Sequence, residues 1–159
     1  MPTGAATDGD VRQFTTELAG RPLTVEVGKV ALQANGSCTV RYGDTVVLAT
    51  AVMASTRREG INYFPLLVDY EERLYAAGKI KGSRWVKREG RPSDEVITTG
   101  RLIDRSIRPL FPQELKNDVQ VNTTVQCFDG ENDSDIVGLI AASIALAISP
   151  IPWDGPIGG

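Results

Sequence analysis

Positively charged side chains are concentrated in one short stretch of an otherwise acidic chain. The segment GKIKGSRWVKREGRPS, residues 78–93, carries six Lys and Arg residues and a single acid, Glu89, whereas the whole 159-residue chain has a formal net charge of −3. Trp85 stands among these cations. Proteins hold single-stranded nucleic acid with cations that follow the phosphates and with aromatic rings on which bases stack. The segment therefore indicates a polyanion site, without distinguishing RNA, DNA or a nucleotide.

A second group of cations follows at a helical spacing. Arg101, Arg105 and Arg108 are four and three residues apart, so they share one stripe of a helix. Guanidinium groups suit bidentate contact with phosphate oxygens. The alternative is a solvated, ion-paired helix face, in which Asp104 pairs with Arg108 and with Arg101 and offsets part of the repulsion between like charges.

The acidic residues and the missing histidine limit the other kinds of chemistry. The chain has no histidine, which excludes a Ser-His-Asp site and removes the commonest zinc ligand. The carboxylates in DGENDSD, residues 129–135, are of a type that binds Mg²⁺. A loop followed by a helix N-cap is the simpler interpretation of that segment, and the end of a surface strand is the simpler interpretation of Asp69, Glu71 and Glu72.

Strand patterns precede the helical ones, which predicts an α+β fold. Two strands flank a turn at AGRP within residues 14–27, and a hairpin with Gly43-Asp44 at its turn spans 39–55. Further strands are predicted over 63–72 and 118–128.

Two helices are expected in the second half of the chain. Ser93 is predicted to cap a helix that Pro109 ends, with positions 96, 103, 107 and 110 on its apolar face. A second helix, capped by Asp133 or Ser134 and apolar almost all round, should be buried against the sheet.

The remaining features predict a cytoplasmic protein of one domain. Residues 1–11 are expected to be a disordered lead-in, without the apolar core of a secretory signal. The longest apolar run, residues 136–149, is too short to span a bilayer, so no membrane partner is expected. Cys38 and Cys127 lack metal-site spacing and are predicted to be unpaired, buried thiols in a reducing compartment.

Three blocks of sequence resemble the first core domain of the bacterial-type polynucleotide phosphorylase family. They are NYFPLLVDYEERLYAAGKIKGS, then REGRPS, and then GRLIDRSIRPLFP, and the later SPIPWDGPIGG matches the same family. The resemblance runs from about residue 14 to the end of the chain. It implies an RNase PH-like α+β fold, a mixed sheet with packed helices, in which residues 12–159 form the N-terminal portion of a first RNase PH-like domain that is incomplete at its C-terminus.

The resemblance also implies an activity for the full-length protein. Members shorten single-stranded RNA from its 3′ end with inorganic phosphate, release nucleoside diphosphates and assemble as homotrimers with a central channel. The phosphate-binding serines, the catalytic aspartates and the Mg²⁺ site belong to the second core domain, so the resemblance implies no catalytic or metal-binding residue here and an inactive isolated fragment. The RNA-binding residues that it implies are Trp85, Lys87, Arg88, Arg91, Arg101, Arg105 and Arg108.

One departure from the family and two alternative functions remain open. The family often has two aromatic residues in the channel loop, whereas this loop reads RWVKR, has only Trp85 and is one residue longer. The first alternative is a non-catalytic RNA-binding or scaffold subunit of a larger ring. The second is a structural module whose arginine stripe pairs with acids of a neighbouring subunit.

Overall fold

The computed structural model describes residues 11–80 and 91–158, and within them the predicted strands and helices are all found. The predicted lead-in lies almost wholly outside the described residues. The strands are β1 (Arg12–Leu18), β2 (Arg21–Val27), β3 (Gly36–Tyr42), β4 (Thr45–Arg57), β5 (Leu66–Glu72) and β6 (Asn117–Cys127). The helices are α1 (Asp94–Ile107) and α2 (Ser134–Ala147), and 3₁₀ turns cover Leu74–Ala77 and Arg108–Leu110.

The strands form a single mixed sheet in the order β1-β2-β3-β4-β6-β5. All neighbours are antiparallel except β5 and β6, which are parallel. Adjacent parallel strands require a long crossover connection. Here that connection contains the cationic segment and α1. The positions of β5 and β6 in the sheet therefore determine where the connection begins and ends. The predicted α+β class is confirmed.

Both predicted hairpin turns are present, and glycine explains their geometry. Gly20 has φ of 79° and Gly43 has φ of 61°, values in the left-handed region that two-residue hairpin loops require. Ala19 also has a positive φ, of 50°. The turn at Gly43 pairs Tyr42 with Thr45, which sets the register of β3 against β4. The local sequence therefore determines how β1 pairs with β2 and how β3 pairs with β4.

Helix α2 covers one face of the sheet closely because small residues line the contact. Ala141, Ala142 and Ala145 are fully buried in the helix. On β3, a Cβ added to Gly36 would lie only 2.2 Å from the carbonyl oxygen of Ala145. Asp133 stands at the N-cap position, although its side chain makes no capping hydrogen bond. The prediction of a second helix buried against the sheet is confirmed.

Helix α1 packs on β5, on the same face of the sheet as α2. Its buried side chains include Val96, Ile103 and Ile107, as the helical spacing predicted. Gly100 faces Tyr70 of β5, which is itself buried. The α-helix ends at Ile107, and position 110 lies half-buried in the following 3₁₀ turn rather than on the helix. The proline of that turn cannot continue an α-helical ladder.

The last described residues return to the C-terminal end of α1. The indole N–H of Trp153 donates a hydrogen bond of 3.1 Å to the carbonyl of Ile107, and the backbone N–H of Asp154 donates to Leu110. The Trp153 ring also packs near Phe111, with ring centroids 6.4 Å apart. These contacts hold the chain after α2 against the end of α1.

The two cysteines differ in a way that the sequence did not indicate. Both are free, as predicted, and Cys38 is buried against α2. Cys127, however, is exposed, so the prediction of two buried thiols was wrong for this residue. It is the last residue of β6 and pairs with Val46 beyond a register shift in the ladder with β4, where the alternation of buried and exposed residues along the strand ends. Within the described residues, no helix has the length and apolar character needed to cross a membrane.

Candidate nucleic-acid interface

Helix α1 begins where the cationic segment ends, because its N-terminus is capped as the sequence predicts. The hydroxyl of Ser93 accepts a hydrogen bond of 3.3 Å from the backbone N–H of Val96. Asp94 and Glu95 lie in the first turn, where carboxylates interact favourably with the positive end of the helix dipole. The cap fixes where α1 starts, and the buried apolar face of the helix then decides which side chains point to solvent.

Arg101 and Arg105 lie on the exposed side of α1. Both residues are exposed, whereas Ile103 and Ile107 of the same helix are fully buried. In the part of the chain that the structure describes, neither arginine forms an ion pair within 4 Å, so the predicted pairing of Asp104 with Arg101 is absent. Two uncompensated guanidinium groups four residues apart repel each other mildly. An anion placed between them would remove that repulsion.

Arg108 differs from the other two arginines because its guanidinium is already engaged. Its Nε donates a hydrogen bond of 3.0 Å to one carboxylate oxygen of Asp104, and its Nη2 donates to the other. Nη2 also donates a hydrogen bond of 3.2 Å to the carbonyl of Leu66, and Nη1 lies 3.5 Å from the carbonyl oxygen of Phe64. The predicted pair of Asp104 with Arg108 is confirmed. The two backbone contacts, which tie the end of α1 to the start of β5, were not predicted.

Only one of the other four predicted RNA-binding residues lies within the described residues. Arg91 is described, and it is exposed just before α1. Trp85, Lys87 and Arg88 lie outside the described residues. The structure therefore places three predicted RNA-binding arginines, at positions 91, 101 and 105, along one connection between β5 and β6, all of them exposed.

A cleft of about 630 Å³ lies beside the first turn of α1. Its walls come from the end of β5, the 3₁₀ turn at Leu74–Ala77, the end of β6 and the start of α1. Lys79 and Arg91 are among its lining residues, as is Phe128. Sequence reasoning missed this cleft because Phe128 is far along the chain from the cationic segment, and only the parallel pairing of β5 with β6 brings the two together.

Asp129 connects two loops, and hydrogen bonds reach both of its carboxylate oxygens. Its carboxylate accepts hydrogen bonds from the backbone N–H groups of Asn132, Glu131 and Asp44 and from the hydroxyl of Thr45. The hydrogen bonds from Asn132 and Glu131 are the main reason that the pKa of Asp129 is lowered well below its usual range. Among the described residues, no three His, Cys, Asp or Glu side chains come together as a metal site. The donors around Asp129 do not suit Mg²⁺, which requires oxygen ligands.

Two buried groups with raised pKa values serve packing. Burial raises the pKa of the Cys38 thiol to about 12, so the reactive thiolate is strongly disfavoured. Burial also raises the pKa of Tyr70, whose hydroxyl lies 2.9 Å from a carboxylate oxygen of Glu72 and 2.9 Å from the hydroxyl of Ser134. Neither group is poised to exchange a proton near neutral pH, and both connect the sheet with α2.

Comparison with protein families identifies the domain that carries this arrangement. Residues 19–152 match the model of the 3′ exoribonuclease family, domain 1, which is an RNase PH domain. The chain belongs to the 3′ exoribonuclease family. The matched range of this RNase PH domain includes β2 to β6, both helices and the exposed arginines of α1.

Curated relatives carry the enzyme name that the sequence motifs indicated. The chain is 56% identical over 148 residues to a polyribonucleotide nucleotidyltransferase of Ruminiclostridium cellulolyticum, and this match covers 93% of the chain and 21% of the relative. It is 60% identical over 146 residues to the protein of that name from Heliobacterium modesticaldum, with 92% and 20% covered. The chain thus spans about a fifth of the length of these relatives, and the resemblance drawn from its motifs is confirmed.

Solved structures confirm the RNase PH-like fold. One is a chain of the Archaeoglobus fulgidus exosome with RNA bound to the active site, with a TM-score of 0.60 and 20% sequence identity. That match covers 94% of this chain and 55% of the exosome chain. The other is rice (Oryza sativa) Rrp46, with a TM-score of 0.58 and 15% identity, covering 95% of this chain and 61% of the rice protein.

Proposed function

We propose that this chain is the RNA-guiding part of a phosphorolytic 3′-to-5′ exoribonuclease that degrades single-stranded RNA. The observation that carries the proposal is the pair of exposed arginines on α1, Arg101 and Arg105, which have no acidic partner among the described residues. Relatives of high identity that are named polyribonucleotide nucleotidyltransferase support it. The exosome chain of similar fold, whose structure holds RNA at the active site, agrees with a nucleic-acid ligand.

In the proposed reaction an oxygen of inorganic phosphate attacks the phosphorus of the last phosphodiester. The bond from that phosphorus to the 3′ oxygen of the preceding nucleotide breaks. A nucleoside diphosphate leaves, and the RNA strand ends one nucleotide shorter with a 3′ hydroxyl. The contribution of this chain is positional, because cations along the path hold the phosphates of the strand and so keep its end directed toward the reacting groups.

We assign different roles to the predicted RNA-binding residues. Phosphates are contacted by five cations, and Trp85 stacks on a base. The main part of Arg108 is to hold α1 in place, because only one of its five N–H donors is left over from its protein contacts. The five phosphate-contacting cations are Lys87, Arg88, Arg91, Arg101 and Arg105.

The proposal extends to features of the whole enzyme. It includes a homotrimer, residues 12–159 as the N-terminal portion of a first RNase PH-like domain, and a cytoplasmic location where RNA is turned over. Mg²⁺ would be held by the second core domain and would assist the reaction there. Among the described residues, no three His, Cys, Asp or Glu side chains come together, and we assign the guiding role to the cations and Trp85 of this chain.

The direct test measures binding of fluorescein-labelled oligo(A) and oligo(U) to the chain at several KCl concentrations. Changing Arg101 and Arg105 together to Ala should weaken binding similarly for both sequences. The slope of log affinity against log salt should flatten by about 0.7 for each single-strand phosphate contact that the variant removes. The matched control changes Lys29 and Arg41 to Ala, which removes the same charge from exposed, ion-paired positions outside α1.

Two results would contradict the proposal. Unchanged affinity and slope in the double arginine variant would mean that the stripe serves another purpose, such as pairing with acids of a neighbouring subunit. An equal loss in the control would mean that only net charge matters. Separately, the chain incubated with poly(A), phosphate and Mg²⁺ should release no ADP, and sustained release would contradict the division between guiding and catalytic parts.

A further inference from the structure

The cleft beside the first turn of α1 has an apolar floor with an aromatic ring at its side. Ala76, Val96 and Val125 line it and are buried. Phe128 also lines it, yet 38% of this residue is exposed. The backbone N–H of Phe128 donates a hydrogen bond of 2.9 Å to the carbonyl of Ala76, which holds the residue at the cleft. A volume of about 630 Å³ is within the range of small-ligand sites.

The charges around the cleft favour an anion. Its two carboxylates already have partners, because Glu71 forms an ion pair of 2.6 Å with Arg73 and Glu72 accepts a hydrogen bond from a tyrosine hydroxyl. Lys79 and Arg91 also line the cleft, are exposed, and form no ion pair within the described ranges 11–80 and 91–158. The N-terminus of α1 lies at the same place, where Asp94 and Glu95 of the first turn already interact with its dipole. The charged side chains that line the cleft, Arg73, Lys79 and Arg91 against Glu71 and Glu72, give a formal charge of +1.

We propose that the cleft binds one nucleotide of a single-stranded RNA, with its base against Phe128 and its phosphates at Lys79 and Arg91. This inference rests on the proposed function, because it adds a subsite to the same RNA path. An aromatic ring beside an apolar floor suits the flat face of a base, and stacking of this kind tolerates any base sequence. Lys79 and Arg91 are also the first and last cations of the segment 78–93 in the sequence.

The test uses two measurements on the chain. The first crosslinks an oligo(U) containing 5-iodouridine by ultraviolet light and identifies the crosslinked peptide by mass spectrometry. The second measures affinity by fluorescence anisotropy for Phe128→Leu, which keeps an apolar side chain without the ring, and for Phe128→Tyr, which keeps the ring. Phe14→Leu is the matched control, because Phe14 is an exposed phenylalanine on β1, at the edge of the sheet farthest from β5.

We expect a crosslink in the peptide that contains Phe128. Phe128→Leu should weaken oligo(U) binding by about 5- to 150-fold, the range for loss of one stacked base, with an unchanged salt slope. Phe128→Tyr and Phe14→Leu should bind within about twofold of the original chain. An oligonucleotide of abasic sites should bind the original chain and Phe128→Leu equally, because it has no base to stack.

Distinct results would overturn this inference and the proposed function. If the Arg101 and Arg105 variant loses binding while Phe128→Leu does not, and no crosslink reaches the Phe128 peptide, the RNA path stands and the cleft is not part of it. If uridine diphosphate displaces the crosslink as well as oligo(U) does at equal nucleotide concentration, the site takes a free nucleotide and the assignment to a strand is wrong. If no RNA binds to the chain at all, both proposals fail.

Discussion

Replacing Arg108, which follows the last residue of α1, with Ala should separate a stabilising arginine from the two arginines of α1 that we assign to RNA. The change removes two hydrogen bonds to the carboxylate of Asp104, and contacts to the carbonyls of Leu66 and Phe64. The ion pair is partly exposed, with 41% and 25% of the two side chains accessible, so it contributes about 0.5 kcal/mol. The hydrogen bond to Leu66 contributes about 1 kcal/mol, and the longer contact to Phe64 less. The expected loss of stability is about 1–2 kcal/mol.

The matched variant is Arg105→Ala, which removes the same charge from the exposed side of α1, three positions before Arg108. Arg105 is exposed and forms no ion pair with any residue in the described part of the chain, so its free energy of unfolding should change by less than about 0.5 kcal/mol. Urea unfolding followed by circular dichroism gives both values. In RNA binding the order should reverse, with the salt slope flattened by about 0.7 in Arg105→Ala and unchanged in Arg108→Ala.

The opposite pattern would refute this reasoning. If Arg108→Ala keeps its urea midpoint and loses as much salt slope as Arg105→Ala, then Arg108 is a phosphate contact and its bonds to β5 do not stabilise the fold. A double-mutant cycle with Asp104→Asn adds a check. The effects of the two changes on stability should not be additive, because each removes one side of the same contact.

Two further predictions concern stability. Gly36→Ala should cost about 1–3 kcal/mol in urea unfolding because its Cβ would overlap the backbone of α2, whereas Gly100→Ala, with no atom nearer than 3.6 Å, should be neutral or stabilising; equal midpoints would contradict the close approach of β3 to α2. Because the pKa of Asp129 is lowered in the folded protein, its ionised carboxylate stabilises the fold above about pH 4, the usual pKa of Asp in an unfolded chain. This contribution to the free energy of unfolding is lost as the pH falls toward the folded pKa. The stability difference between the original chain and Asp129→Asn should therefore narrow below about pH 4, and a constant difference would exclude this linkage.

Local sequence predicted those parts of the fold that short-range rules govern. The cap at Ser93 and the stop near Pro109 follow from the chemistry of those residues and a few neighbours. The hairpin at Gly43 follows from the backbone freedom of glycine. The arginine stripe follows from helical spacing alone, so the exposed side of α1 could be placed from the sequence.

Features that depend on distant parts of the chain were not predictable in this way. The contact of Arg108 with Leu66 joins residues 42 positions apart, and it exists because α1 packs on β5. Phe128 reaches the cleft through the pairing of β5 with β6. Cys127 looked like an ordinary strand residue, and its exposure depends on the register shift that separates its pairing with Val46 from the pairing of Val47 with Val125. Each of these follows from strand order, which no local pattern specifies.

The parallel pairing of β5 with β6 has a consequence for how this family can vary. The register of these two strands is set by their own pairing from Leu66 to Glu72, and the buried face of α1 anchors the middle of the connection independently. Residues can therefore be inserted between these anchors without displacing a strand or exposing the core. An insertion of one residue in this connection would therefore cost the scaffold little, since closure entropy changes slowly with length. The length and composition of the cationic segment can therefore change in evolution while the fold stays the same.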